Sequence, residues 1–328
     1  MQITELRLDD SRTIADVVQL RNATIKVDSP WEHPMTVTVQ AGAMRYGWDE
    51  EPPRCYVGHD GGRLAVYGEL SVSERDNTHL AWVDVMVDPD CRRQGLGSEM
   101  LRSLMDEARG CGRTSAASAG WEGTACRRFA EAHGFELKSQ AINRRQYLAE
   151  VDRTELSRLY DEATAHAASY ELLRIAGATP PDLLDAVAEL TGAINDAPQD
   201  DLDMEDEVFT AERVRAYERA NEGRRTRWYR LVARHRDTGV LAGHSVVAVE
   251  AERPEIGHQH DTSVVRAHRG HRLGLLLKTG MLRWLEEVEP QLRTVDTWNT
   301  ESNGPMIAVN ERLGYRVLGR ALEFQRPL

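Results

Sequence analysis

HLAWVDVMVDPDCRRQGLGSEMLRSLMDEA, residues 79–108, decides the fold. Ala81–Val87 is a stretch of strand length, apolar but for Asp84 and rich in valine. Arg92-Arg93-Gln94-Gly95-Leu96-Gly97-Ser98 then turns the chain into a segment whose Met100, Leu101, Leu104, Met105 and Ala108 share one helical face. A strand feeding a helix through a glycine turn is an anion site. The first N–H groups of the helix lack internal partners, and the helix dipole adds about half a positive charge there. The loop is not a P-loop, because the Gly-Lys-Ser/Thr ending is missing, and it is not GxGxxG.

The pattern occurs twice. GHQHDTSVVRAHRGHRLGLLLKTGMLRWLEE, residues 257–287, aligns with the first stretch when Arg269 is set on Arg92, an offset of 177 residues. Asp261 then meets Asp84, Val264 meets Val87 and Gly274 meets Gly97. Downstream, VNERLGYRV (309–317) repeats FAEAHGFEL (129–137) at an offset of 180 residues. A period this long means two copies of one domain, since solenoids repeat at roughly 20–50 residues. Each copy reads as strand, helix, hairpin, strand, glycine turn, helix, strand, helix and closing strands. The hairpins turn at Asp60-Gly61-Gly62 and Asp237-Thr238-Gly239. The expected division is an N-terminal domain over 1–150, a linker helix over 151–169 packed across the junction, and a C-terminal domain over 170–328. The fold class is α/β, each domain a mixed, mainly antiparallel sheet flanked by helices.

Composition limits what such a chain can do. Its 328 residues carry a formal net charge of −12 and are 41% hydrophobic, enough for two cores. The acidic balance argues against gripping nucleic acid by its phosphates. No apolar run approaches the roughly 18 residues of a membrane span, and MQITELRLDD has no secretory pattern. The four cysteines lack CxxC spacing, so free thiols, a cytoplasmic location and no metal site are expected. The oligomeric state is not legible.

The pattern V-x-P-x-x-R-x-x-G-x-G, followed by a helix, a strand and a helix ending in Gly134-Phe135, resembles the GNAT superfamily of acyl-CoA-dependent N-acyltransferases. The resemblance spans most of both halves. Its two-domain layout is similar to that of mycothiol synthases and of actinobacterial bimodular GNAT proteins. It implies acetyl-CoA, or another short acyl-CoA, as cofactor. The backbone of Val85, Met86 and Val87 would pair with pantetheine, and Arg92 through Ser98 would hold the pyrophosphate. In the second copy the matching residues are Thr262, Ser263 and Val264, then Arg269, Gly270, His271, Arg272, Leu273, Gly274 and Leu275. Asn303 matches an asparagine that often starts the family's later helix. Two departures stand out. Arg272 replaces the first loop glycine, and either strains the turn or turns its guanidinium to the phosphates. Ala130 and Asn310 occupy the position of the usual tyrosine, so neither copy has the phenol that reprotonates the thiolate.

Attack by an amine on a thioester needs a proton removed. Asp84 and Asp261, at one position of the two cofactor strands, are the candidate bases; a carboxylate merely hydrogen-bonded in a sheet is the other reading. His258, His260 and Glu69 are further candidates, and Trp298 is a candidate stacking residue. The acidic run 198–207, with six carboxylates, would border the second acceptor site or serve as a solvated loop. The expected function is acetyl-CoA-dependent N-acetylation of a small, cationic amine by direct transfer through a tetrahedral intermediate. Asn303, the acidic run and Asp261 assign acceptor chemistry to the second copy, and the intact loop at Arg92–Gly97 assigns ready CoA binding to the first. The alternative is a non-catalytic CoA-binding or regulatory protein.

Overall fold

The computed structural model describes residues 2–328. In chain order it forms β1 (Gln2–Glu5), α1 (Ser11–Asp28), α2 (Val37–Tyr46), β2 (Arg54–Asp60), β3 (Arg63–Val72), β4 (Leu80–Val87), α3 (Leu96–Gly110), β5 (Ser115–Trp121), α4 (Thr124–Ala132) and β6 (Glu136–Tyr147). There follow α5 (Arg153–His166), β7 (Tyr170–Ala176), α6 (Leu184–Thr191), α7 (Ala211–Gly223), β8 (Thr226–His235), β9 (Leu241–Glu250), β10 (Ile256–Val264), α8 (Leu273–Val288), β11 (Thr294–Thr300), α9 (Gly304–Arg312) and β12 (Arg316–Pro327). No helix is long and apolar enough to cross a membrane among the described residues.

Two compact units form, and neither is contiguous in sequence. Unit 1 takes the chain up to Ala141, Gln199–Asp206 and Gly319–Leu328; unit 2 takes Ile142–Pro198 and Glu207–Leu318. These differ from the uninterrupted ranges 1–150 and 170–328. The reason lies in strand pairing: from Ala321 to Pro327, β12 pairs antiparallel with β5 from Trp121 back to Ser115. The segment expected as a linker is α5, whose Leu156, Leu159 and Ala163 are buried in a core of unit 2.

The sheet of unit 1 runs β1-β2-β3-β4-β5-β12, with only β4 and β5 parallel. Helices cover both faces. Met100, Leu101, Leu104 and Met105 of α3 pack on Val66, Leu70, Ala81 and Val83. Ile14, Val17 and Leu20 of α1, with Met44 of α2, pack on Cys55, Val57 and Tyr67. The alternation of the strands separates these two sets. Asp10 caps α1 by accepting from Thr13 N, and Thr36 caps α2 by accepting from Val39 N.

Unit 2 repeats the plan in the order β11-β10-β9-β8-β7, with β10 and β11 parallel and β6 alongside β11. One core joins α5, α8 and the sheet; another joins Val187, Leu190 and Val214 of α6 and α7 to Ile175, Val232 and Leu241. The copies differ by one residue. In unit 1 the β3–β4 register is unbroken from Val66↔Val87 to Val72↔Ala81. In unit 2 it shifts between Gln259↔Val247 and Thr262↔Ser245, so His260 and Asp261 together face the place opposite Val246. This is a β-bulge, and the offset between the copies changes there from 176 to 177 residues.

Candidate active site

In each unit the two parallel strands hold register only at their starts. β4 and β5 pair at Leu80↔Ser115, Ala81↔Ala116 and Trp82↔Ala117, and β10 and β11 at Ile256↔Thr294, Gly257↔Val295 and His258↔Asp296. Beyond these pairs the strands part, leaving Val85–Val87 and Thr262–Val264 bonded to β3 and β9 on one side and facing a cleft on the other.

Each cleft ends at a helix N-terminus. Gly95 is the N-cap of α3 at φ 86° and Arg272 the N-cap of α8 at φ 58°, and neither gives a side-chain cap. The departure at Arg272 has a counterpart two residues earlier, where Arg93 (φ 65°) in the first loop meets Gly270 (φ 87°) in the second. Each loop needs two left-handed residues, and each supplies one glycine and one arginine, in opposite order. The backbone turn therefore survives in both. Arg272 pairs with Glu162 of α5, so its guanidinium is tied within unit 2.

The loop arginines brace the turn in the same way. Arg92 Nε donates to Val87 O (3.3 Å) and its Nη1 to Asp28 (2.9 Å). Arg269 Nε donates to Val264 O (3.2 Å) and its Nη2 to Asp196 (2.7 Å). Arg93, Gln94 and Gly95 are exposed, whereas Leu96 packs on the α3 core. A Cβ on Gly95 would meet nothing within 4 Å; one on Gly97 would meet Val87 Cγ2 at 3.2 Å and Phe129 Cε2 at 3.4 Å. Gly95 thus opens the mouth of the loop, while Gly97 lets helix and strand approach. Ser98 hydrogen-bonds His133 (2.9 Å), and beyond it Arg102, Arg109 and Arg326 line a basic groove of about 410 Å³. In the second loop Leu273 and Leu275 are core residues, Gly274 is open, and His271 packs against Tyr170.

Asp84 and Glu69 face each other directly across β3 and β4. Like charges so placed are destabilising. Burial raises both carboxyls above their ordinary range, and Asp84 pushes Glu69 further, while Arg21 of α1 draws both back. Asp84 is exposed to solvent on β4. Glu69 accepts from Tyr67 Oη (2.9 Å) and lies 4.0 Å from Arg21. The sequence offered Glu69 only as a residue on a neighbouring strand; register makes it half of a pair.

The second copy has no such pair. Asp261 is raised by burial and drawn down by Arg230. His260 lies between Trp228 and Tyr217 and is pushed down to about 3 by burial, His258 and Arg224, too weak a base for proton abstraction. His258 pairs with Glu250 (2.9 Å). Asn303 is the N-cap of α9 and accepts from Met306 N (3.4 Å). Asn310, at the expected tyrosine position, is fully buried and bonds Asn299 (2.7 Å). Of the acidic run 198–207, residues 199–206 belong to unit 1, and Pro198 and Glu207 to unit 2, where Thr300 Oγ1 at the end of β11 donates to Pro198 O (3.0 Å). In unit 1 Asp201 N donates to Lys138 O (3.1 Å), Ser139 bonds Asp200 (3.0 Å) and Glu205 N donates to Asn77 (2.7 Å). Trp298 is 47% exposed on β11. Its counterpart at the 177-residue offset, Trp121, donates to Glu32 (2.8 Å) and lies edge-on to Trp31.

Residues 19–135 match the model of the acetyltransferase (GNAT) family. No curated protein matches the chain in sequence. Among solved structures, the chain is similar to a tandem GNAT protein from the clavulanic acid biosynthesis pathway, at 26% identity and a TM-score of 0.82, covering 99% of this chain and 98% of that one. It shares its fold with a GCN5-related N-acetyltransferase from Sphaerobacter thermophilus, at 16% identity and a TM-score of 0.69, covering 99% and 95%. It likewise shares the fold of one from Kribbella flavida, at 12% identity and a TM-score of 0.54, covering 100% and 71%.

Proposed function

Because residues 19–135 form a GNAT acetyltransferase-family domain within a chain of tandem GNAT fold, we propose that this protein transfers an acetyl or other short acyl group from its CoA thioester to the amine of a small cationic molecule. The observation that carries this reading is the Glu69–Asp84 pair at the parting of β4 and β5. A carboxylate whose charged form is disfavoured, as that of Asp84 is, is a stronger base than one in water. Asp84, which reaches solvent, takes the amine's proton directly or through water; Glu69 holds the ammonium beside it. Arg21 keeps the pair from becoming wholly protonated.

The residues fit the implied cofactor. Gly95 and the open N–H groups of Leu96, Gly97 and Ser98 would hold the pyrophosphate, and the cleft-facing backbone of Val85–Val87 would pair with pantetheine. Acetyl-CoA supplies the acyl group as an activated thioester. The second loop, from Arg269 to Leu275, keeps the same left-handed turn and is a second CoA site on the same grounds. The Glu69–Asp84 pair supports assigning acylation of the cationic amine to unit 1 in place of the second copy.

Ala130 and Asn310 favour a second reading, a CoA-binding module without turnover. Purified protein, acetyl-CoA, a thiol reporter and a panel of amino sugars and polyamines separate the two. CoA release that is lost in Asp84→Asn and kept in Asp261→Asn supports the enzyme and its placement; the reverse pattern returns the chemistry to the second copy. CoA binding without release across the panel supports the module.

A further inference from the structure

The two copies place different chemistry at one position. In unit 1, Glu69 lies opposite Cys55 on β2 and Asp84 on β4, with Tyr67 two residues away on the same strand. In unit 2 the register counterparts are Val246 for Glu69, Arg230 for Cys55, His244 for Tyr67 and the bulged Asp261 for Asp84. A carboxylate has been lost from the sheet and a guanidinium added.

That guanidinium is 3% exposed. It donates to His244 Nδ1 (2.9 Å) and approaches Thr191 Oγ1 (3.4 Å), and its Nε has no partner. Among the described residues no carboxylate lies within 4.0 Å of it; Asp261 and Glu218 act on it only through their fields. Since His244 Nδ1 accepts from Arg230, the ring's proton is on Nε2, which is also buried without a partner. Trp228 Nε1, two residues before Arg230, and Ser263 Oγ, directly opposite His244, are in the same condition. His244 is 0%, Trp228 5% and Ser263 8% exposed. Arg230 Nε, His244 Nε2 and Trp228 Nε1 are donors only, and the serine hydroxyl can donate as well. A buried charge without a counter-charge, among buried donors without acceptors, is costly. An anion with several lone pairs would satisfy them.

We propose that unit 2 binds a small molecule carrying a carboxylate beside its amine, the carboxylate on Arg230, His244 and Ser263 and the ammonium toward Asp261. This rests on the proposed reading of the second loop as a second CoA site, and it divides the copies by charge: unit 1 takes a cation through two carboxylates, unit 2 a zwitterion through one arginine and one aspartate. The neighbouring ionisable groups are Glu218, Tyr217 and Arg224 of α7 and its C-terminal end and His260 of β10; none of them replaces the missing counter-charge at Arg230.

The test is binding to the full chain, measured by calorimetry without acyl-CoA, so that it does not depend on turnover. The probes are glycine, β-alanine and glutamate, each against its amide at the α- or terminal carboxyl. At least one acid should bind at least tenfold more tightly than its amide, and Arg230→Met, checked for folding by circular dichroism, should remove that preference. The acid–amide comparison in the unaltered protein stands even if the variant does not fold. Equal binding of acid and amide, no binding of any of the three acids, or a preference unchanged in a folded Arg230→Met overturns the proposal. Acid binding with no CoA release from any amine would instead overturn the enzyme reading and leave this site standing.

Discussion

Replacing Gly95 with alanine puts a Cβ on a residue held at φ 86°, where nothing lies within 4 Å of the added atom. The conformational cost for a non-glycine residue in this region is about 1–2 kcal/mol. It is partly offset because alanine narrows the unfolded ensemble by about 0.4–1 kcal/mol. With no clash to add, the net loss of stability is about 1 kcal/mol, or about 2–4 °C in Tm for a unit of this size. The methyl group, however, projects into the mouth where the phosphates must approach the helix N-terminus. A tenfold loss of CoA affinity corresponds to about 1.4 kcal/mol, and at least that is expected at unit 1. Gly97→Ala should behave in the opposite way. Its Cβ meets Val87 at 3.2 Å and Phe129 at 3.4 Å, so overpacking of about 1–3 kcal/mol falls on the fold. Calorimetric titration with CoA and thermal melts of both variants make the comparison. If Gly95→Ala titrates like the parent chain while melting about 2–4 °C lower, the turn at Gly95 is not where the phosphates bind.

Asp84→Asn should lower turnover by about 10²–10⁴-fold with CoA affinity held. The same carboxyl raised in the folded state binds its proton more tightly there than in the unfolded chain, so stability falls as pH rises through its range; Asp84→Asn should therefore melt higher than the parent at neutral pH and lose that advantage in acid. Arg145 and Asp296 form a buried bidentate pair at 2.6 and 2.7 Å, so Asp296→Ala should cost about 3–5 kcal/mol in denaturant unfolding, and the double change Arg145→Met with Asp296→Leu should recover much of it. Lys278, 2% exposed with Nζ 4.6 Å from the centre of the Tyr315 ring, is pushed down to about 7 by burial. Its folded state binds fewer protons between about pH 7 and the ordinary lysine range, so stability should rise with pH across that window, and Lys278→Met should flatten the rise.

The 177-residue offset made the two-copy architecture legible, because hairpin turns and the strand–turn–helix motif leave local marks in sequence. Local marks also located Gly95, Asp84 and Asp261. What the sequence hid depends on register or on distant pairing. The extra residue at His260–Asp261 is invisible to an alignment anchored at Arg92 and Arg269, yet it sets both side chains opposite Val246. Tyr67, Glu69 and Cys55 become one cluster only when β2, β3 and β4 pair. The exchange of glycine and arginine between positions 93/95 and 270/272 looked like the loss of a glycine until both dihedrals were positive. Helix α2 went unseen because Val37–Tyr46 carries little apolar periodicity, and its Gln40 and Gly42 are buried along with Met44. The hydrogen bonds that tie residues 199–206 to Asn77, Lys138 and Ser139 are likewise silent in their place in the sequence.

The pairing of β12 with β5 also bears on how the protein is made. Domains usually fold as they leave the ribosome, the N-terminal one first, at about 5–20 residues per second. Here the first unit emerges with its β5 edge bare, from Ser115 to Trp121, and cannot cover it until Gly319–Leu328 follows nearly two hundred residues later. At those rates the edge waits on the order of 10–40 seconds. An unpaired edge strand is a template for pairing with another chain, so the nascent protein passes through a stage, on every round of synthesis, in which neighbouring ribosomes on one message hold matching open edges. A pause in translation before codon 319 would lengthen that stage, and a chain cut short there would never leave it.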